Sequence, residues 1–219
     1  MKKKIIFFIN NDEIFTFPMV IFLINKLKKK FKIYIKLENT SFRKKIKILL
    51  ILILDGSIFN LMKFYKKKIS LKKIKNIKGV KILTRYDESD FKYGVSINYP
   101  KKIIFKKLKI YNFHFGNFLN QRGTFIFFYK YIFKWKSIDL TFHKINLFFD
   151  AGKVLSKKTI IIKNMNAIDI IALPLKNKNF YLNSIKIIGL KRKALKTKLG
   201  DIHREPTFFK IFSTFKKEF

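Results

Sequence analysis

Residues 5–37, IIFFINNDEIFTFPMVIFLINKLKKKFKIYIKL, read in order as strand, loop, helix and strand. Ile5–Ile9 is an unbroken apolar run of strand length, as a buried strand requires. Asn10–Glu13 is a polar turn. Pro18 suits the first turn of a helix running to about Lys29, because the N–H it lacks has no partner there. Val20, Leu23, Ile24 and Leu27 then share one face of that helix. Lys32–Leu37 alternates as a second strand does. A helical crossover between two strands predicts an α/β fold, a parallel sheet with covering helices. The loop that begins at Asn10 lies where such sheets often bind ligands, which makes Asn10 a candidate substrate-binding residue. It has no glycine-rich phosphate fingerprint, so a dinucleotide site is not supported.

Working outward, Arg43–Met62 fits helix and strand equally, since short apolar runs cannot be separated by periodicity. Its Ile48–Met62 portion is interrupted by Asp55, Gly56, Ser57 and Asn60. It is also shorter than the ~18–20 apolar residues that span a bilayer, and reads as a core element. Lys63–Lys81 is a solvated lysine-rich segment with one apolar stripe, Ile69, Leu71, Ile74 and Ile77. Lys81–Leu83 and Gly94–Tyr99 are expected strands, the latter ended by Pro100. Ile110–Phe113 is another, and leads to His114. Phe125–Lys134 has helix length and is apolar nearly all round, so its aromatics and Trp135 are expected in the core. Ile138–Ile145 and Lys153–Lys163 read as strands, and Ile168–Leu173 as a helical turn ended by Pro174. A helix from Thr207 carries Phe208, Ile211, Phe212 and Phe215. With no internal repeat and no Ser/Pro/Gly-rich linker, residues 1–219 are expected to form one domain, with 175–219 as a tail packed on it.

Composition excludes several classes of function. The chain has no cysteine, which removes disulfides, thiolate metal sites and a thiol nucleophile. His114, His143 and His203 are far apart and show no metal-ligand spacing, so no metal is expected. The net charge is +37, yet 45 of the 50 basic residues are Lys and only 5 are Arg. Lys, Ile, Phe and Asn are inflated together, as an A/T-biased coding sequence produces, whereas a selected nucleic-acid surface more often uses Arg. The charge still predicts non-specific, salt-dependent attraction of polyanions. The opening MKKKIIFFI resembles a signal peptide, but the apolar run stops at Asn10 and no small-residue cleavage site follows. The expected setting is cytoplasmic, without a membrane partner. The oligomeric state is not legible.

Chemistry concentrates in residues 111–155, YNFHFGNFLNQRGTFIFFYKYIFKWKSIDLTFHKINLFFDAGKVL. Asn112 and His114 are two apart on a strand, so their side chains point the same way. Asp150 follows, just before Gly152. A histidine moves protons near neutrality, a carboxylate orients it, and an amide N–H stabilises a developing oxyanion. Together they suit addition of a nucleophile to a carbonyl. No Ser or Cys is placed as a covalent nucleophile, which favours direct attack by the substrate. On residues alone, a satisfied buried histidine with an unrelated loop aspartate fits as well.

Four ordered elements, Asn112-Phe-His114, Arg122-Gly123, Thr141-Phe-His143 and Asp150-Ala-Gly152, resemble the formyltransferase family. The resemblance implies a Rossmann-like three-layer sandwich, a mostly parallel central sheet with helices on both faces. It implies 10-formyltetrahydrofolate as co-substrate and a primary amine as acceptor. Asn112, His114 and Asp150 would be the catalytic set. The pterin would lie between Ile97, Asn98 and Tyr99 on one side and Asn146 to Phe149 on the other. Arg122 either anchors its loop or meets an acceptor phosphate. His143 has a structural or supporting role, and His203 and Arg204 cap the structure. Two departures stand out: the family's S-L-L-P-x-Y-R-G loop is Gly116-Asn-Phe-Leu-Asn-Gln-Arg-Gly123 here, and its D-E-G is Asn146-Leu-Phe148. The expected acceptor is a small phosphate-bearing amine such as a nucleotide-linked amino sugar. Methionyl-tRNA is the alternative, and a non-catalytic basic RNA-binding module is the reading from a different class.

Overall fold

The computed structural model describes residues 2–101, 103, 105–146, 152–190, 194–196 and 198–216. The strands are β1 (Lys3–Asn10), β2 (Phe31–Glu38), β3 (Val80–Leu83), β4 (Tyr93–Ile97), β5 (Lys109–Phe115), β6 (Arg122–Gly123), β7 (Ser137–Ile145), β8 (Gly152–Ile161) and β9 (Ile202–His203). The helices are α1 (Thr16–Leu27), α2 (Phe42–Leu54), α3 (Ile58–Tyr65), α4 (Leu71–Lys75), α5 (Ile126–Phe133), α6 (Ala167–Ile171), α7 (Leu173–Lys176), α8 (Lys178–Lys186) and α9 (Phe208–Lys216). Seven strands form one sheet in the order β3-β2-β1-β4-β5-β7-β8. Its first five members are parallel, and β7 and β8 run antiparallel to their neighbours. The mostly parallel α/β sheet expected from residues 5–37 is thus present. The remaining two strands, β6 and β9, form a short parallel pair that ties the tail back to the body.

Local chemistry accounts for the first crossover. Asp12 ends the turn after β1 and accepts hydrogen bonds from the backbone N–H groups of Ile14 (2.9 Å) and Thr16 (3.0 Å). A carboxylate there satisfies orphan donors and complements the dipole of α1. Val20, Leu23, Ile24 and Leu27 are buried under β1 and β4, as their spacing predicts.

Arg43–Met62, ambiguous in sequence, is two helices. They break at Asp55, whose carboxylate accepts from the Ser57 N–H and hydroxyl, the Tyr131 hydroxyl and the Ala167 N–H. Among the described residues no single helix is long and apolar enough to cross a membrane. Taken together α2 and α3 reach the length and composition, but they meet at a bend of 114°. Pro174 opens α7 rather than ending the helical segment, because the first turn of a helix tolerates its missing N–H. The helix α8 and the β6–β9 pair had no clear sequence signal.

Strand register sets up the site. Phe8, Ser96, Asn112 and His143 stand opposite one another across β1, β4, β5 and β7. The next row, Ile9, Ile97, Phe113 and Phe142, has the opposite orientation and joins the apolar core against α1 and α8. His114 also lies within β5 rather than beyond its end, since pairing with β7 continues to Phe115.

Candidate active site

A cleft of about 1100 Å³ opens at the carboxyl ends of β1 and β4. This is the expected ligand position in an open α/β sheet. Ser96, Asn112, His114 and His143 line it from the sheet, while Lys44, Ile48 and Leu52 of α2 line it from above. The polar residues come from one strand face, and Ser96, His114 and His143 are buried there, a setting in which polar groups call for partners.

Asn112 and His143 supply each other. The Asn112 amide Nδ2 lies 3.3 Å from His143 Nε2. The amide nitrogen donates, so Nε2 accepts and the neutral His143 ring carries its proton on Nδ1. That leaves the second Asn112 N–H for a ligand in the cleft. His143 is 1% exposed and its ring meets the edge of Phe118 at 4.8 Å, so it is locked in place. The T-x-H spacing brought His143 to notice, but its direct grip on Asn112 depends on the β5–β7 register and could not be read from spacing.

His114 is held differently. It is 8% exposed, and its Nε2 lies 2.9 Å from the carbonyl oxygen of Gln121. A carbonyl only accepts, so Nε2 carries the proton and the neutral ring has its lone pair on Nδ1. The carbonyl is fixed by the Gln121 side chain. Its Nε2 donates to the Ser137 carbonyl (2.9 Å), and its Oε1 accepts from the Asn117 N–H (3.1 Å). Gly116 begins this loop at φ 116°, and a Cβ there would lie 2.0 Å from the Gln121 carbonyl oxygen. Thr141 closes the arrangement by donating its hydroxyl to the Gly116 carbonyl at 2.8 Å. The loop therefore lacks the proline and tyrosine of the formyltransferase pattern and is braced by Gln121, Asn117 and Thr141 instead. Sequence reasoning passed over Gln121, a polar residue in a polar loop with no local mark of its burial.

The other predicted residues fall into four groups. Asn10, Asn98, Tyr99 and Asn146 line the cleft. Asn10 accepts from the Thr40 hydroxyl at 3.0 Å, and Asn98 leaves β4 at φ 53°. Burial pushes the Tyr99 phenol up from its ordinary pKa, with the Glu38 charge a smaller cause. Ile97 is different. Its side chain is in the apolar core on the far face, which leaves only its backbone for a ligand. Arg122 does not line the cleft. It is buried, its guanidinium donates to the Gly200 carbonyl, and its backbone pairs with Ile202. Of the two roles weighed for Arg122, this geometry is that of the loop anchor. Asp150 and Phe149 lie outside the described residues.

His203 donates to the Asn120 carbonyl at 2.8 Å and stacks on Tyr129 at 4.7 Å, a structural contact. The charged groups beside the cleft are largely paired. Lys101 meets Glu38 at 3.0 Å, and Lys47, 5% exposed in its side chain, meets Glu205 at 2.7 Å. Hydrogen bonding from Lys101 holds the Glu38 carboxyl below its usual range.

No family profile and no curated protein matches the sequence. Solved structures do match the fold. A sugar 3N-formyl transferase crystallised in the presence of dTDP and 5-N-formyl-THF superposes with a TM-score of 0.63 at 16% identity, covering 93% of this chain and 70% of that one. Methionyl-tRNA formyltransferase from Clostridium thermocellum gives 0.53 at 12% identity, over 94% of this chain and 73% of that one. Phosphoribosylglycinamide formyltransferase from Anaplasma phagocytophilum gives 0.56 at 13% identity, over 86% and 87%. These three act on different acceptors by their names and share one architecture. The fold of this chain is the formyltransferase fold.

Proposed function

We propose that the protein is an N-formyltransferase that moves a formyl group from 10-formyltetrahydrofolate to a primary amine. The observation that carries this reading is the polar row Ser96–Asn112–His143, with His114 beside it, set in the cleft of a formyltransferase fold.

The chemistry follows from the donors. Attack by the amine on the formyl carbon turns its carbonyl oxygen into an oxyanion. The second N–H of Asn112 meets that charge, and His143 holds the amide so that little reorganisation is needed as the charge develops. His114 takes the proton released by the amine, in the role that the resemblance gives it together with Asp150. The proton is then delivered to the departing folate nitrogen. The apolar wall formed by Tyr99, Ile103 and Phe105 suits a flat heteroaromatic ring, with Asn98 and Asn146 available for its polar edge.

The acceptor is a primary amine that carries phosphate. A small nucleotide-linked amino sugar is the first reading. Methionyl-tRNA is the second, favoured by the net charge of +37.

The test is incubation of purified protein with 10-formyltetrahydrofolate and a panel of nucleotide-linked amino sugars, glycinamide ribonucleotide and methionyl-tRNA. The expected result is one formylated acceptor and an equal amount of tetrahydrofolate. Absence of transfer to every acceptor, together with tight RNA binding at high salt, supports the non-catalytic module instead.

A further inference from the structure

A second cavity of about 430 Å³ adjoins the main cleft, and the two share Lys44, Pro100, Lys101 and Thr124 as lining residues. Its other lining residues come from the turn before α2 (Asn39, Ser41) and from the tail (Ile202 to Glu205). The annex thus lies beside the cleft that holds Asn112 and His114, against the same four residues.

The charge inventory of the annex is uneven. Lys101 is neutralised by Glu38, and Glu205 by Lys47. Among the described residues, neither Lys44 nor Arg204 has a carboxylate within ion-pair distance. Lys44 is also half-buried, its Nζ 5.5 Å from the centre of the Phe125 ring. A cation drawn from water is disfavoured, and an incoming anion relieves that penalty. Burial accordingly pushes the Lys44 ammonium down from its ordinary pKa, with the Glu205 charge opposing. Arg204 brings a planar fork suited to bidentate phosphate contact, and Lys44 a compact point charge.

We propose that the annex is the site for a phosphate or diphosphate group of the acceptor, met by Lys44 and Arg204. The identity of the reaction rests on the formyl-transfer reading; the anion site does not. Both a small phosphorylated amine and the terminal phosphates of an aminoacylated RNA have this chemistry.

The experiment uses the full chain and inorganic pyrophosphate as the probe, titrated calorimetrically in 0.15 M salt. Lys44→Gln and Arg204→Gln are each expected to weaken binding at least tenfold. Lys44→Arg, which keeps the charge, and the exposed Lys29→Gln control are expected to bind as wild type does. Thermal melts confirm that each variant is folded. In transfer assays, the two Gln variants should raise the acceptor KM at least tenfold and leave the donor KM unchanged. Running that assay with a nucleotide-linked amino sugar and with methionyl-tRNA separates the two sources of phosphate. Absence of pyrophosphate binding by wild type, or equal weakening by Lys29→Gln, overturns the proposal. Transfer with an unchanged acceptor KM in both Gln variants overturns it too and leaves the formyl-transfer reading standing. Selective loss of pyrophosphate binding with no amine formylated supports the annex and counts against formyl transfer.

Discussion

The two faces of the sheet at β4, β5 and β7 are built by the same strands and do opposite things. On one face Ile97, Phe113 and Phe142 pack into the core, with the Phe113 and Phe142 ring centres 4.5 Å apart. On the other, one residue along each strand, Ser96, Asn112 and His143 form a polar row that looks into the cleft. The apolar face needs only shape and volume, since burial is non-directional. The polar face is directional, and three of its groups have named partners: His143 for Asn112, the Gln121 carbonyl for His114, and the Gly116 carbonyl for Thr141. Apolar packing is therefore concentrated on one side of these strands and side-chain hydrogen bonding on the other.

Substitutions on the two faces should separate accordingly. Phe142→Ala opens a cavity on the core face and is expected to lower stability by about 3–5 kcal/mol, read by chemical denaturation. A loss under about 1 kcal/mol would mean that the faces are not divided as described. His114→Ala on the polar face should reduce turnover by about a hundredfold to ten-thousandfold, the usual range for a general acid–base, in protein that still melts cooperatively. Asp150→Asn is expected to cost about tenfold or more in turnover if Asp150 acts with His114 as proposed; wild-type activity removes Asp150 from the mechanism. His143→Leu keeps the volume and removes the grip on Asn112. About a tenfold fall in kcat, with the donor KM held, is expected for such a supporting residue; a pure stability loss with normal kcat makes it structural only.

The smallest effect concerns pH. The folded Lys44 pKa is depressed, so its unfavourable burial is present while it is charged and is relieved as pH rises through that pKa towards the ordinary lysine value. Anion binding at the annex should weaken over the same alkaline interval. Lys44→Arg stays charged there, so its pyrophosphate binding should fall less than that of wild type as pH rises through the interval. Identical pH profiles for the two proteins would detach Lys44 from the anion.

Much of the fold was legible in residues 5–37, because a strand–helix–strand unit declares parallel pairing through periodicity alone. Arg43–Met62 was not, since its break depends on Asp55 capturing donors from Tyr131 and Ala167, more than 70 positions away. The site divided in the same way. Asn112 and His114 were visible from a two-residue spacing on one strand. The His143–Asn112 contact needed the antiparallel register of β5 and β7, which no local pattern contains. Ile97 and Arg122 were nominated by their place in a motif. The strand alternation turned Ile97 into the core, and the β6–β9 pairing buried Arg122 against Gly200. Gln121 was passed over because burial of a loop glutamine is a tertiary fact.

The central claim is that the polar row performs chemistry rather than merely satisfying buried groups. Asn112→Ala tests it most directly, with formyl transfer and thermal melting measured on the same sample. The variant loses one hydrogen bond, about 0.5–1.5 kcal/mol of stability. In a chain of this size that is a melting shift of only a few degrees. Transfer at saturating donor and acceptor should fall by about a hundredfold or more, as for loss of an oxyanion donor. Undiminished transfer with the same small melting shift would contradict the account.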